Sequence, residues 1–412
     1  MMANHSANIL TSKLAVCFVI IFLSGCQTSP MRGITEQDLE IRHPSFVRLY
    51  KTDLNEMSTQ SITRIRSEYN NTKIHTGNKQ QSYDVLVLSG GGAFGAFGAG
   101  FLNGWGEVTD REFIRPRFDT VSGISTGALI APFAFLGTED AYQKILDLYE
   151  NPQENWVRKR GIIPYLPGNV SLYDISKLHS KIRSIISPDL IQAISKETSK
   201  NRQLLIGATN VDYGLMRVWN LAKIAHENPV EAAAKQTTSI LLASSAIPGV
   251  FPPITIDDYL YVDGGATMQV VSGIDERSWL YHRDTNSVKF VDSNRPIRIR
   301  IWMIVNQKLL PDHEVVRSRW TSIAKRSLSV LLRASTLQAI QDTETYVRLI
   351  NQLPEFDAQM RYVTIPQDYQ IEDSDEMFDA DIMRKLTALG RKMGADPTSW
   401  SATALRPGAP FE

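Results

Sequence analysis

A three-layer α/β/α fold built on a mainly parallel central sheet is predicted for this chain by three observations. Short apolar runs of the kind buried on both faces recur after residue 83. Strand-like runs alternate with helix-like stretches, as expected of a sheet covered on both sides. Two of the strand-to-helix junctions are rich in glycine, where a tight turn brings backbone close to a ligand.

The elements follow in order. Residues 84–88 form the first buried strand, with a glycine-rich turn and a helix-like stretch to about Trp105 behind it. Residues 118–122 make the next strand and 126–136 a helix. Residues 204–209 and 216–221 read as a hairpin around Asp212-Tyr213-Gly214. Residues 231–246 are helical and stop before Pro248. Residues 259–262 form a strand, 297–305 a long alternating strand, 315–350 mostly helix, 361–365 a late strand and 381–393 a last helix. Upstream, 46–81 is polar with scattered Val47, Leu49, Leu54, Ile62 and Ile65, which predicts a helical segment peripheral to the main domain. Residues 27–41, with Pro30 and Gly33, read as a flexible tether. The expected organisation is a leader over 1–25, the tether and peripheral segment over 26–81, and one domain over 82–412 whose motif core is 83–271.

Bulk composition narrows the function. The 412 residues are 43% hydrophobic and 21% charged, enough for a sizeable core. Lys plus Arg and Asp plus Glu are both 44, so there is no excess positive charge of the kind nucleic acid binding requires. The only cysteines are Cys17 and Cys26, so the rest of the chain has no internal disulfide and no cysteine-ligated zinc. No cofactor or metal is expected.

Lys13 precedes an unbroken apolar run over 14–23. Ten apolar residues span about 15 Å as a helix, too short for a bilayer core of about 30 Å but suited to an export signal. Leu23-Ser24-Gly25-Cys26 follows and resembles the lipobox of bacterial lipoproteins. The resemblance implies cleavage before Cys26, acylation there and a membrane anchor. Gln27 rather than Asp after the cysteine favours, by analogy with Gram-negative lipoproteins, the outer membrane. An ordinary secretory signal with a chance cysteine is the alternative.

Three constellations carry chemistry. Gly123-Ile124-Ser125-Thr126-Gly127 lies between an apolar strand and an Ala-rich helix, the setting of a nucleophile elbow. The plain alternative is a strand-to-helix turn with Ser125 as helix cap. Ser89-Gly90-Gly91-Gly92-Ala93-Phe94-Gly95 offers unshielded backbone N–H groups to an anion. A dinucleotide loop would want an acid about twenty residues on, ending a second strand; Asp110 has the spacing but no convincing strand. No Gly-Lys-Ser or Gly-Lys-Thr is present, which excludes a P-loop. Asp263-Gly264-Gly265 follows the strand over 259–262, placing a carboxylate at the carboxyl-end edge of the sheet.

In this order the three motifs resemble the patatin-like phospholipase family, as does the approach to Asp263 through Leu242-Ala243-Ser244-Ser245-Ala246-Ile247-Pro248-Gly249-Val250-Phe251-Pro252-Pro253. The likeness covers about residues 83–271. It implies a patatin-like fold and a lipid acyl hydrolase with Ser125 as nucleophile and Asp263 as base. Backbone N–H groups of Gly90, Gly91 and Gly92, with Thr126, would hold the oxyanion, and Gly95, Gly123, Gly127, Gly264 and Gly265 would shape the motifs. The expected partners are a lipid or lysolipid substrate and the membrane reached through the N-terminal anchor. Phe94 stands where the family often carries Arg or Lys, which removes a positive charge beside the loop.

The resemblance implies a dyad that needs no histidine. A triad in α/β-hydrolase order would need a histidine after the acid, leaving His282 and His313, both in polar stretches. His5, His43, His75, His179 and His226 precede Asp263. Such a triad esterase and a catalytically silent lipid-binding lipoprotein are the competing functions. Finally, Val316, Trp320, Ile323, Val330, Ala334 and Leu337 fall near one helical face, with Arg317, Lys325 and Arg326 elsewhere. The expectation is an ordinary helix packed on the sheet, a membrane-contact helix being the other possibility.

Overall fold

In the computed structural model the described residues are 32–75, 82–153, 156–160, 171–271, 296–372, 374 and 376–405. The leader with its lipobox, Cys26 and His282 lie outside them.

The central sheet runs in the order β10-β9-β1-β2-β5-β8-β7, with β6 paired to β5. Its parallel part comprises β1 (Ser82–Leu88), β2 (Thr120–Gly123), β5 (Gln203–Asn210), β9 (Ile297–Val305) and β10 (Phe356–Thr364). β6 (Leu215–Asn220) turns back on β5 as the expected hairpin. β7 (Ile254–Ile256) and β8 (Tyr259–Asp263) are also antiparallel. A two-stranded ribbon, β3 (Arg158–Lys159) with β4 (Tyr173–Asp174), lies apart.

Strand alternation sorts the two faces. Leu86, Leu88, Trp302 and Ile304 point into one core, shared with α2 (Gly95–Trp105), α3 (Thr126–Leu136), α4 (Glu139–Glu150), α5 (Ser176–Ile185), α6 (Pro188–Thr198), α7 (Leu221–Glu227), α8 (Val230–Ser244) and α10 (Ala380–Gly394). Tyr83, Val85, Val87, Ile299, Ile301 and Met303 point into the other, under α1 (Glu36–His75) and α9 (Trp320–Ile350). This is the three-layer arrangement expected.

Several elements differ from the reading of the sequence. Helix α1 begins at Glu36, inside the stretch expected to be a tether, and is not peripheral. It packs on the sheet through Met57, Ile65 and Tyr69. Its polar residues face inward as well: Gln203 Nε2 donates to Met57 O (3.0 Å) and to Ser61 Oγ (2.8 Å), and Tyr83 Oη donates to Ser61 Oγ (3.0 Å). A polar stretch looks peripheral by composition, but paired polar atoms can be buried without penalty. Helices α4 and α6 carry caps, Thr138 accepting from Ala141 N and Ser187 from Leu190 N, with Pro188 opening α6.

The topology explains how distant motifs meet. β2 pairs with residues 203–206 of β5 and β8 with residues 208–210, while β6 spans 205–210. A strand has two edges, so β2 and β8 share one of them. β8 runs antiparallel and ends at Asp263 opposite Ala208, next to Gly123 opposite Ile206. The carboxylate thus stands at the expected sheet edge, but its strand arrives from beyond that edge instead of running up to it.

Candidate active site

Ser125 occupies the turn between β2 and α3 with φ 54° and ψ −124°, a region L-residues rarely adopt. The flanking glycines make this turn fit. A side chain on Gly123 would strike the Gly127 carbonyl, and one on Gly127 would strike the carbonyls of Leu88 and Ser89. The turn is also tied down: Ser125 N–H donates to Ser244 Oγ (3.0 Å), which donates to Gly207 O (2.7 Å). Ser245 Oγ donates to Ser125 O (3.3 Å). Ser244 and Ser245 come from the end of α8, in the segment leading to Asp263.

Asp263 is buried, and the Ser125 side chain lies close enough to favour its charged form. Its Oδ1 also accepts from Gly265 N–H (2.8 Å). Burial pushes the carboxyl up to about 6, against the opposing pull of the Ser125 and Gly265 hydrogen bonds. No cation contributes. Gly264 is required by contact, since a Cβ there would lie 2.7 Å from Gly207 O and 2.8 Å from Ile124 Cδ1.

The glycine loop follows β1 and is shaped by Asn306 at the end of β9. Asn306 Nδ2 donates to Ser89 O and Asn306 N–H to Ser89 Oγ, both at 2.9 Å. Position 91 (φ 155°) accepts only glycine, because a Cβ there would run into the Asn306 backbone. Gly92 has φ 58° and open space beside it. Among the described residues no acceptor meets the N–H groups of Gly91, Gly92 or Thr126. Gly90 lies beside Ser125: a Cβ there would lie 2.5 Å from Gln269 Oε1 and 3.2 Å from Ser125 Cβ. Gly95 lies against Thr126 Oγ1, which is itself bonded to the buried Tyr149 hydroxyl.

Ser125, Gly91, Gly92 and Phe94 border two cavities. The first, about 300 Å³, is lined mostly by apolar side chains, among them Leu129, Phe133, Leu148, Trp156, Ile182, Phe251 and Phe378. The second, about 270 Å³, includes Asp263, Gln269, Gln307, Lys325, Ser329 and Arg333. A larger polar cleft of about 940 Å³ lies near Arg117, Asp140 and Lys196 and contains neither Ser125 nor Asp263. Gln269 and Asn306 are contributions the sequence did not disclose, since no motif sets them apart; Ser244 lies in the segment that carries the resemblance, but its hold on the Ser125 turn appears only in the fold. No described histidine lines either cavity. His43, His179 and His226 lie in α1, α5 and α7, and His313 is exposed before α9. Asp212 is held by Arg32 and accepts from Leu260 N–H (2.8 Å), and Asp257 is exposed.

Comparison with known proteins gives three likenesses. An uncharacterized protein of Acanthamoeba polyphaga mimivirus is 26% identical over 185 residues, covering 44% of this chain and 58% of the relative. This chain therefore spans little more than half the length of that curated relative. VipD from Legionella pneumophila shares 12% identity with a TM-score of 0.32, over 81% of this chain and 74% of VipD, a likeness too distant to bear on function. Residues 86–272 match the family described as patatin-like phospholipase, and that stretch holds the glycine loop, the serine turn and Asp263-Gly264-Gly265. Through this segment, and over its length, the chain is similar to the patatin-like phospholipase family.

Proposed function

We propose that the protein hydrolyses carboxylic esters of membrane lipids through a Ser125–Asp263 dyad and an acyl-enzyme. The observation that carries this reading is the buried Asp263 carboxylate against the hydroxyl of a serine held at positive φ, where an apolar cavity meets unpaired backbone N–H groups.

The steps follow from the groups present. Asp263 accepts the Ser125 hydroxyl proton as Oγ forms a bond to the ester carbonyl carbon. The N–H groups of Gly91, Gly92 and Thr126 stabilise the oxyanion, each worth roughly 3 kcal/mol of barrier. The carbon–oxygen bond to the alcohol breaks and protonated Asp263 returns the proton to that oxygen. Water then gives a proton to Asp263 and attacks the acyl carbon, and Ser125 recovers the proton as the acid leaves. The acyl chain occupies the apolar cavity, where each buried CH₂ adds about 0.8 kcal/mol of binding. The alcohol side faces the second cavity.

A serine-directed phosphonate tests the reading. It should label Ser125 and fail on Ser125→Ala, and hydrolysis of mixed membrane lipids should stop with it. Labelling of a different residue would overturn the assignment. If a histidine triad operated instead, His282→Ala or His313→Ala would cost on the order of a thousandfold; under the dyad each keeps most activity. Cys26 is the proposed lipid anchor to the bacterial outer membrane. Metabolic fatty-acid labelling should be lost in Cys26→Ala, and equal label in the variant would sink the anchor.

A further inference from the structure

Helix α9 is divided along its length. All its buried residues, Thr336, Ile340, Thr343, Tyr346 and Ile350, lie in the second half. The first half and its approach leave large apolar side chains in solvent: Val315 is 98% exposed, Trp320 74%, Leu331 65% and Ile323 51%. Five of the twelve most exposed large hydrophobic residues among those described fall within 315–331, so this is a patch and not scattered surface.

The helix presents two opposed faces. Lys325, Leu328, Ser329, Leu332 and Arg333 line the second cavity beside Ser125. Trp320, Ile323, Val330 and Leu331 fall on the other side at about 3.6 residues per turn. The same turns of helix thus carry the outer apolar face and, on their inner side, wall the cavity that reaches the candidate nucleophile.

Charge selects the kind of surface that fits. Residues 315–341 contain Arg317, Arg319, Lys325, Arg326 and Arg333 and no Asp or Glu, in a chain with 44 of each sign. Arg326 is paired with Glu314, but Arg317 and Arg319 are exposed. Apolar side chains interleaved with cations favour an anionic lipid surface over a protein partner of mixed charge. No helix among the described residues is long and apolar enough to cross a membrane, so α9 would lie in the interface.

We propose that residues 315–334 dock on an anionic lipid surface, burying Trp320, Ile323 and Leu331 at the headgroup boundary and setting the second cavity against the bilayer. The proposal deepens the hydrolase reading, which supplies the reason for a lipid surface there.

The test uses the full chain and vesicles of phosphatidylcholine with or without phosphatidylglycerol. Amide exchange across 320–334 should slow on the anionic vesicles and recover in high salt. The variant Trp320→Ser/Ile323→Ser/Leu331→Ser should lose about tenfold or more of its vesicle hydrolysis while keeping hydrolysis of a water-soluble short-chain ester. These side chains are exposed, so folding is not at stake, and the N-terminal segment is the same in every variant. Arg317→Glu/Arg319→Glu should weaken only the response to anionic lipid. Unchanged exchange, or wild-type vesicle hydrolysis by the triple variant, would overturn the proposal. Slowed exchange that follows protein concentration without lipid would also overturn it, in favour of self-association. If the wild type hydrolyses neither substrate, the hydrolase reading fails, and amide exchange still decides the docking.

Discussion

Asp263 and Asp119 are both buried carboxylates raised to about 6, primarily by burial, yet they sit at opposite ends of the sheet with opposite company. Asp119 precedes β2 and accepts from Arg64 Nε (2.7 Å) and from Asp84 N–H (2.8 Å), tying α1 to the first strands. A guanidinium is present to hold its charge. Asp263 has no cation, only a serine hydroxyl and one backbone N–H. A raised carboxyl therefore does not by itself mark a reactive group. What distinguishes Asp263 is that the group beside it is a serine side chain and not a cation, on the wall of a cavity that Ser125 also lines.

The sharpest way to break the comparison is to remove each group. Ser125→Ala and Asp263→Asn should each reduce ester hydrolysis by about a thousandfold or more, and the double variant should be little worse, because the two act as one unit. Asp119→Ala should leave activity per folded molecule within about threefold, since Arg64 and Asp84 lie away from both cavities. Near-full turnover of Asp263→Asn in a steady-state assay would erase the distinction.

The pH profile comes next. Under the proposed dyad hydrolysis needs ionised Asp263, so kcat/KM for a soluble ester should climb about tenfold per unit below pH 6 and level off above it. A profile flat from pH 4 to 8 would point to a different base.

Stability should sort the two carboxylates in the reverse sense. Asp119→Ala leaves Asp84 N–H and the Arg64 guanidinium without their partner, and denaturant unfolding should show a loss of roughly 2–4 kcal/mol. Asp263→Asn should be neutral or stabilising. The folded carboxyl of Asp263 lies above its ordinary value, so its ionised form opposes folding. That cost is absent below pH about 4, grows toward pH 6 and stays constant above. The stability of Asp263→Asn relative to wild type should rise across that window by on the order of 1–3 kcal/mol. A constant difference across it would mean that Asp263 is not raised.

The smallest expected effect is at Gly92. Its φ of 58° with open space around it predicts a cost of about 1 kcal/mol for Gly92→Ala, from backbone strain and not from collision. Differential scanning calorimetry would separate this from a larger loss.

The sequence by itself determined the strands that are apolar along their whole length and the turns that demand glycine. β1, β2, β9, the β5–β6 hairpin and α3 follow from local pattern, because burial on both faces and sharp turns leave a mark within a few residues. The three motifs were legible for the same reason. The tertiary structure decided what they meet. Only the shared edge of β5 brings Asp263 beside Ser125, and only the fold shows that β8 arrives antiparallel. Asn306, Ser244 and Gln269 act through contacts with residues far away in the chain, which no local pattern encodes. Helices α1 and α9 depart from what composition suggests in opposite directions, although the second half of α9 packs on the sheet as expected. The polar side chains of α1 turned inward to hydrogen-bond partners, while apolar residues of α9 stayed outside. Residue type sets the cost of burial, but whether a side chain is buried depends on what the rest of the chain places over it.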